Sequence, residues 1–190
     1  MKIRKNHVHL LVLLFAVSSL LVHVPSDAYA AVDTWTDATP IDVGGAYMRG
    51  VSMSDASNGV AVGDTGTIVY TTNGGVDWTD ATSVDSASVQ HLFGVSMGDA
   101  SNGVAVGTNG VMVFTTNGGV DWTDATTTNV GSTYMRGVSM IDASNGVAVG
   151  ASGQIVYTTN GGVDWTDATS VDSASVQHLY GVSMGDASNG

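Results

Sequence analysis

The sequence predicts an all-β protein made of tandem four-stranded units. Three observations predict it: a repeat of about 44 residues, short apolar runs separated by Gly-rich turns, and no helical period beyond the N-terminal segment. The repeat comes first because it organises everything else. Gly-Val-Ser-Met begins at Gly50, Gly94, Gly137 and Gly181, with spacings of 44, 43 and 44 residues. Thr-Asn-Gly-Gly-Val-Asp-Trp ends at Trp78, Trp122 and Trp165, and a remnant of its tail stands at Trp35. A longer period lies on top, because residues 46–103 match residues 133–190 at all but six of 58 positions. The six differences are Ala46/Thr133, Ser54/Ile141, Asp64/Ala151, Thr65/Ser152, Thr67/Gln154 and Phe93/Tyr180, so the larger unit is a pair of 87 residues.

Within one unit the apolar runs predict strands at Tyr47–Met53, Val60–Gly63, Thr67–Thr72 and Val76–Thr82. Between them stand Asp55-Ala-Ser-Asn-Gly59, Gly63-Asp-Thr-Gly66 and Asn73-Gly-Gly75, the turn chemistry that supplies positive φ to tight hairpins. Four short antiparallel strands in about 44 residues make one blade of a β-propeller. One blade cannot bury both its faces, so each must stack on its neighbours. The units run at about 46–89, 90–132 and 133–176, with partial units at 31–45 and 177–190. The second and third strands are missing from the partial units, so the expected arrangement is an incomplete arc of three blades plus remnants.

The N-terminus has the three parts of a secretory signal: the basic start Met1–Lys5, an apolar run from Val8 to Val24, and small residues at Ala28 and Ala30. Cleavage before Ala31 is expected, giving a secreted, periplasmic or cell-surface protein with no membrane span after removal of residues 1–30. From Ala31 onward the chain holds sixteen Asp, no Glu, no Lys, and only Arg49 and Arg136, a net charge of about −14. Such a surface repels phosphate backbones and anionic lipid, which excludes nucleic acid as a partner. There is no Cys, so packing and strand pairing hold the fold without covalent staples.

The segment Thr71-Thr-Asn-Gly-Gly-Val-Asp-Trp78 is similar to the Asp-box, or BNR, pattern Ser/Thr-x-Asp-x-Gly-x-Thr-Trp, and it recurs at Thr115–Trp122 and Thr158–Trp165. The upstream half of each unit, as in Val51-Ser-Met-x-Asp-Ala-Ser-Asn-Gly-Val-Ala-Val-Gly63, resembles the repeat of the photosystem II stability and assembly factor family. The resemblance covers the whole chain after the signal. It implies a structural box in which Asn73, Gly75 and Trp78, then Asn117, Gly119 and Trp122, then Asn160, Gly162 and Trp165 tie the hairpin between the third and fourth strands. The three Trp are expected to be buried at equivalent positions, with Trp35 in a closing or terminal blade. Two departures from the pattern stand out: Asn replaces the box Asp, and Asp77, Asp121 and Asp164 replace the Thr before Trp.

Asp-boxes also occur in sialidases, whose chemistry, as that family implies, needs three Arg, a Tyr with a Glu partner and an acid Asp. Two Arg and no Glu cannot supply it, and the remaining Asp residues show no discriminating spacing, so no catalytic residue is assigned. The residues three positions before each Gly of Gly-Val-Ser-Met alternate Tyr47, His91, Tyr134 and His178. Those one position before alternate Arg49, Phe93, Arg136 and Tyr180. If the first strand is innermost, these groups gather at one rim, where Arg49 and Arg136 would clamp an anionic or carbohydrate ligand with Tyr47, Tyr134, His91 and His178 around them. An 87-residue duplication copies useful and idle residues alike, so recurrence alone does not mark a site.

No cofactor or metal is assigned. His91 and His178 lack neighbouring ligands in sequence, and the Asp-Ala-Ser-Asn-Gly loops at Asp55, Asp99, Asp142 and Asp186 read more simply as side-chain-capped turns than as calcium sites. Met53, Met97, Met140 and Met184 read as core filler. The expected function is an exported, non-catalytic binding or assembly module presenting a propeller surface to a protein or glycan, with further blades of the same protein as another possible contact. The alternatives are the structural part of a larger glycan-active hydrolase and a surface adhesion array.

Overall fold

The structure is a computed structural model that describes residues 45–84, 87, 90–168 and 177–185; residues 1–30, expected to be a signal, Trp35 and Asp186 lie outside them. Three antiparallel blades follow one another along the chain. Blade one holds β1 (Met48–Met53), β2 (Gly59–Gly63), β3 (Ile68–Thr71) and β4 (Thr79–Asp80), hydrogen-bonded in that order. After β5 (Ser83–Val84), blade two holds β6 (Leu92–Met97), β7 (Gly103–Gly107), β8 (Met112–Thr115) and β9 (Asp121–Asp124). After β10 (Thr126–Thr127), blade three holds β11 (Met135–Met140), β12 (Gly146–Gly150), β13 (Ile155–Thr158) and β14 (Asp164–Asp167).

The fourth strand of blade one, Thr79–Asp80, is shorter than the apolar pattern suggested, whereas β9 and β14 begin two residues earlier in the repeat, at Asp121 and Asp164, where a strand from the preceding unit pairs with them. The expected four strands per blade also become five in blades two and three. β5 pairs in parallel with β9 (Ser83 beside Asp121), and β10 pairs in parallel with β14 (Thr126 beside Asp164). Each blade thus lends the strand after its own β4 or β9 to the outer edge of the next blade, covering an edge that would otherwise be open to pairing.

At the opposite edge the first strands of successive blades lie side by side. A Cβ on Gly50 would stand 3.5 Å from the Gly94 Cα, one on Gly94 3.6 Å from the Gly137 Cα, and one on Gly137 only 2.9 Å from the Gly181 Cα. A Cβ would just fit at Gly50, would be tight against the Arg136 carbonyl at Gly94 (3.2 Å), and would force the neighbouring backbone to move at Gly137. Two residues on, the Ser hydroxyls bridge blades: the Met97 N–H donates to Ser52 Oγ (3.0 Å), Met140 N–H to Ser96 Oγ (2.9 Å) and Met184 N–H to Ser139 Oγ (3.1 Å). The last bond holds residues 177–185 beside β11, in the place a fourth first strand would take.

The core lies between blades. Val60, Val62 and Ile68 of blade one meet Leu92, Val95, Met97 and Trp122 of blade two; Val104, Val106 and Met112 of blade two meet Met135, Met140, Val156 and Trp165 of blade three. Trp122 and Trp165 are each 1% exposed, sealed onto the preceding blade. Trp78 is only half-buried, and on the same side of blade one Val51 and Met53 are exposed. Met97 and Met140 are buried, as core filler should be.

The box hairpins repeat almost atom for atom. Thr115 Oγ1 accepts from the Gly119 N–H (3.0 Å), Asn117 Oδ1 accepts from the Asp121 N–H (3.0 Å), and the Trp122 indole donates to the Gly119 carbonyl (2.9 Å). Gly119 has φ +94, and a Cβ there would lie 2.6 Å from Val60 Cγ2, so glycine is required both by the backbone and by the neighbouring blade. The two departures from the box pattern answer one another. Asn73, Asn117 and Asn160 donate through Nδ2 to the carboxylates of Asp77, Asp121 and Asp164 at 2.8, 2.9 and 2.8 Å. An Asp at the first position would set two carboxylates face to face; Asn supplies the missing donor.

Candidate binding site on the first strands

The first strand of each blade shifts register one residue before the glycine of Gly-Val-Ser-Met: between Met48 and Gly50, Leu92 and Gly94, and Met135 and Gly137. A bulge swings its residue off the ladder. The bulged residues are Arg49, Phe93 and Arg136, and Tyr180 stands at the same position of the fourth segment. The fold brings them together in one column. Arg49 Cζ lies 5.4 Å from the Phe93 ring centre, Arg136 Cζ lies 5.7 Å from that same ring, and Arg136 Cζ lies 4.9 Å from the Tyr180 ring. Cation and aromatic ring therefore alternate through four successive units, at distances where the ring quadrupole attracts the guanidinium.

Of the remaining predicted residues, Tyr134 joins the column, 6.0 Å from Arg136 Cζ and 6.3 Å from Phe93. His178 stands edge-on to Tyr180 at 6.3 Å. His91 turns toward blade one, with Nδ1 3.0 Å from Asp64 Oδ1. Tyr47 is exposed, and its carbonyl accepts from the Asp64 N–H.

The two arginines differ sharply. Arg49 donates through both Nε and a terminal nitrogen to the Asp64 carboxylate, a two-point clamp. The hydrogen bond from Arg49 holds the Asp64 carboxyl below the usual carboxylate range, against a smaller opposing effect of partial burial. Arg136 has no such partner, since Ala151 occupies the position of Asp64. Among the described residues no carboxylate lies within ion-pair distance of Arg136, and its Nε is buried without a hydrogen-bond partner. Sequence reading singled out the arginines and missed Asp64. The signal was present in the Asp64/Ala151 difference between near-copies, and only the fold shows that it faces Arg49. Four other differences, Ala46/Thr133, Thr65/Ser152, Thr67/Gln154 and Phe93/Tyr180, fall in the same strand-end region, whereas Ser54/Ile141 follows the opposite end of the first strand.

The carboxylates of the described Asp-Ala-Ser-Asn-Gly loops are engaged locally. Asp55, Asp99 and Asp142 each accept from two backbone N–H groups of their own loop, at 2.7–2.8 Å, and from an Asn side chain three residues on. These bonds hold their carboxyls below the ordinary range. Among the described residues no cluster of three His or Asp side chains is placed to hold a metal, and no helix is long and apolar enough to cross a membrane.

Stacked Asp-box blades carrying a polar column on their first strands define a β-propeller of the BNR-repeat class. The family model described as photosynthesis system II assembly factor YCF48 matches residues 26–179, and the chain belongs to that family. Among solved structures it is similar to one described as YCF48 bound to D1 peptide, at 25% identity and a TM-score of 0.57, covering 64% of this chain and 40% of that one. It is similar also to YCF48 from Cyanidioschyzon merolae, at 22% identity and a TM-score of 0.54, over 64% of this chain and 37% of that one. A GH74 xyloglucanase from Xanthomonas campestris shares the fold at 20% identity and a TM-score of 0.51, over 64% of this chain and 18% of the enzyme. This chain thus spans about two-fifths of the length of the two YCF48 structures. A search of curated proteins finds no match.

Proposed function

We propose that this chain is an exported, non-catalytic binding module that docks a polypeptide partner through the Arg–aromatic column, with Arg136 receiving a carboxylate of that partner. One observation carries the reading. Arg136 is a cation held between aromatic rings with no carboxylate at ion-pair distance among the described residues, while its near-copy Arg49, at the same bulge of blade one, grips one in two-point geometry. A protein partner is preferred to a glycan because one YCF48 relative is described with a bound peptide. The likeness to the xyloglucanase is one of fold.

A glycosidase needs one carboxyl raised toward neutrality to serve as general acid. The carboxyls of Asp55, Asp64, Asp99, Asp121 and Asp142 are held below the ordinary range by hydrogen bonds, which suits none of these five to serve as that acid. The export expected from residues 1–30 would bring the chain to a partner outside the cytoplasm.

The test uses the chain lacking residues 1–30, whose only arginines are Arg49 and Arg136, so the Nε–H region of a 15N spectrum holds two signals. A short peptide with a free C-terminal carboxylate should shift the Arg136 signal, and its amidated twin should not. Arg136→Ala should abolish binding and Arg136→Lys should weaken it, since Lys lacks the planar fork. Equal binding by the two peptides, or full binding to Arg136→Ala, would overturn the reading.

A further inference from the structure

We infer that the chain carries a second copy of this same carboxylate site, centred on Arg49, which is filled by the protein's own Asp64. The inference rests on the reading of Arg136 as a carboxylate receptor. Its basis is a pair of surroundings that differ at very few places. Arg49 and Arg136 occupy the same bulge, each reaches over the aromatic residue of the next unit, and each belongs to a segment matched at 52 of 58 positions. The residue facing the guanidinium is Asp64 in one case and Ala151 in the other.

Asp64 sits in the turn between β2 and β3, directly after Gly63, where Ala151 follows Gly150 in blade three. The turn has one shape in both blades: Thr65 has φ 52 and Ser152 φ 56, and the third residue is glycine with φ 72 in each. Backbone geometry therefore does not depend on the carboxylate. At this turn only the side chains change, and the carboxylate is present beside Arg49 alone; Arg136 differs further in resting on Phe93 of the preceding blade. In blade one the carboxylate lies where an acidic ligand group would lie, contacted by Arg49 and, from blade two, by His91 Nδ1 at 3.0 Å. A tethered carboxylate held at such range has a very high effective concentration, so a free one competes poorly. The chain consequently offers one open site per molecule, although two arginines stand at the same bulge of their blades.

Exchanging the two residues tests this directly. Asp64→Ala reproduces the turn sequence context already tolerated in blade three, so the variant should fold. With the same free-carboxylate peptide as probe, the unmodified chain should shift one arginine Nε signal, and Asp64→Ala should shift two, with peptide stoichiometry rising from one to two. Ala151→Asp should weaken binding at Arg136 at least tenfold, and the double exchange should move the single site from Arg136 to Arg49. If Asp64→Ala leaves Arg49 silent while Arg136 still binds, this inference fails and the Arg136 reading stands. If the unmodified chain and Asp64→Ala both bind nothing, both fail.

Discussion

Blade one and blade three are close to the same sequence, yet they stand in different states, and the difference separates what a blade owns from what its neighbour gives it. The hairpin bonds of the box belong to the blade: Thr71, Asn73, Asp77 and Trp78 make the same contacts as Thr158, Asn160, Asp164 and Trp165. Burial belongs to the neighbour. Trp165 is 1% exposed against blade two, whereas Trp78 is half-buried and Val51 of the same blade is 63% exposed. The hairpin forms in either setting, and only stacking converts its indole into core.

The largest effect should come from breaking that stacking. Trp165→Ala should destabilise by about 3–5 kcal/mol, as large-to-small changes at fully buried aromatics do, and Trp78→Ala by about 1–2 kcal/mol because less apolar surface is lost. Denaturant unfolding of both variants measures the difference; equal losses would show that burial against the preceding blade is not what sets the stability of the indole.

Next in size is the box itself. Asn160→Asp removes the donor that faces Asp164 and sets two carboxylates together, which should cost about 1–3 kcal/mol at neutral pH. Adding Asp164→Thr, which restores the Asp-and-Thr pairing of the common box, should recover most of it. The same cycle at Asn73 and Asp77 should give a similar coupling, because that network is internal to the blade. A coupling present in blade three and absent in blade one would refute the division between blade and neighbour.

A smaller effect is expected on acidification. The carboxyls of Asp55, Asp99 and Asp142 are lowered by hydrogen bonds to their own loops: first the Asn side chain in Asp55 and Asp142, first the backbone in Asp99. A group with a lower pKa folded than unfolded contributes stability above about pH 4 and loses it as pH falls through the folded value. Stability should therefore hold from neutrality to about pH 4 and decline below it, and Asp142→Asn should flatten that decline, as acid titration followed by circular dichroism would show.

Smallest of all should be Ser139→Ala, which deprives the Met184 N–H of its acceptor on a half-buried segment, at about 1 kcal/mol. Ser96→Ala should cost more, because the Met140 it serves is buried.

Much of this fold was legible in the sequence, for physical reasons. Strand edges could be read at Val60–Gly63 and Thr67–Thr72 because Gly and Asn-Gly turns bracket them, and those bounds agree with β2 and β3 to within a residue. The fourth strand was drawn too long at both ends in blade one, because its extent depends on a pairing strand from the preceding unit, present at β9 and β14, which no local composition announces. β5 and β10 are two residues long with no period of their own, and they exist only because the next blade offers an edge. At the site, spacing alone placed Arg49 and Arg136 on one rim, but the partner of Arg49 comes from the turn between two other strands. That is a contact between non-neighbouring residues, which no local pattern announces.

The alternating column carries one more consequence, which concerns how such a chain can lengthen. Arginine and aromatic ring take turns from unit to unit, so the column has a phase as well as a length. Deleting or inserting one unit of about 44 residues would leave every hairpin and interblade glycine satisfied, yet it would bring arginine against arginine or ring against ring. Moving two units together, 87 residues at a time, keeps the phase. The natural period of the column is therefore two units, twice that of the blades that carry it.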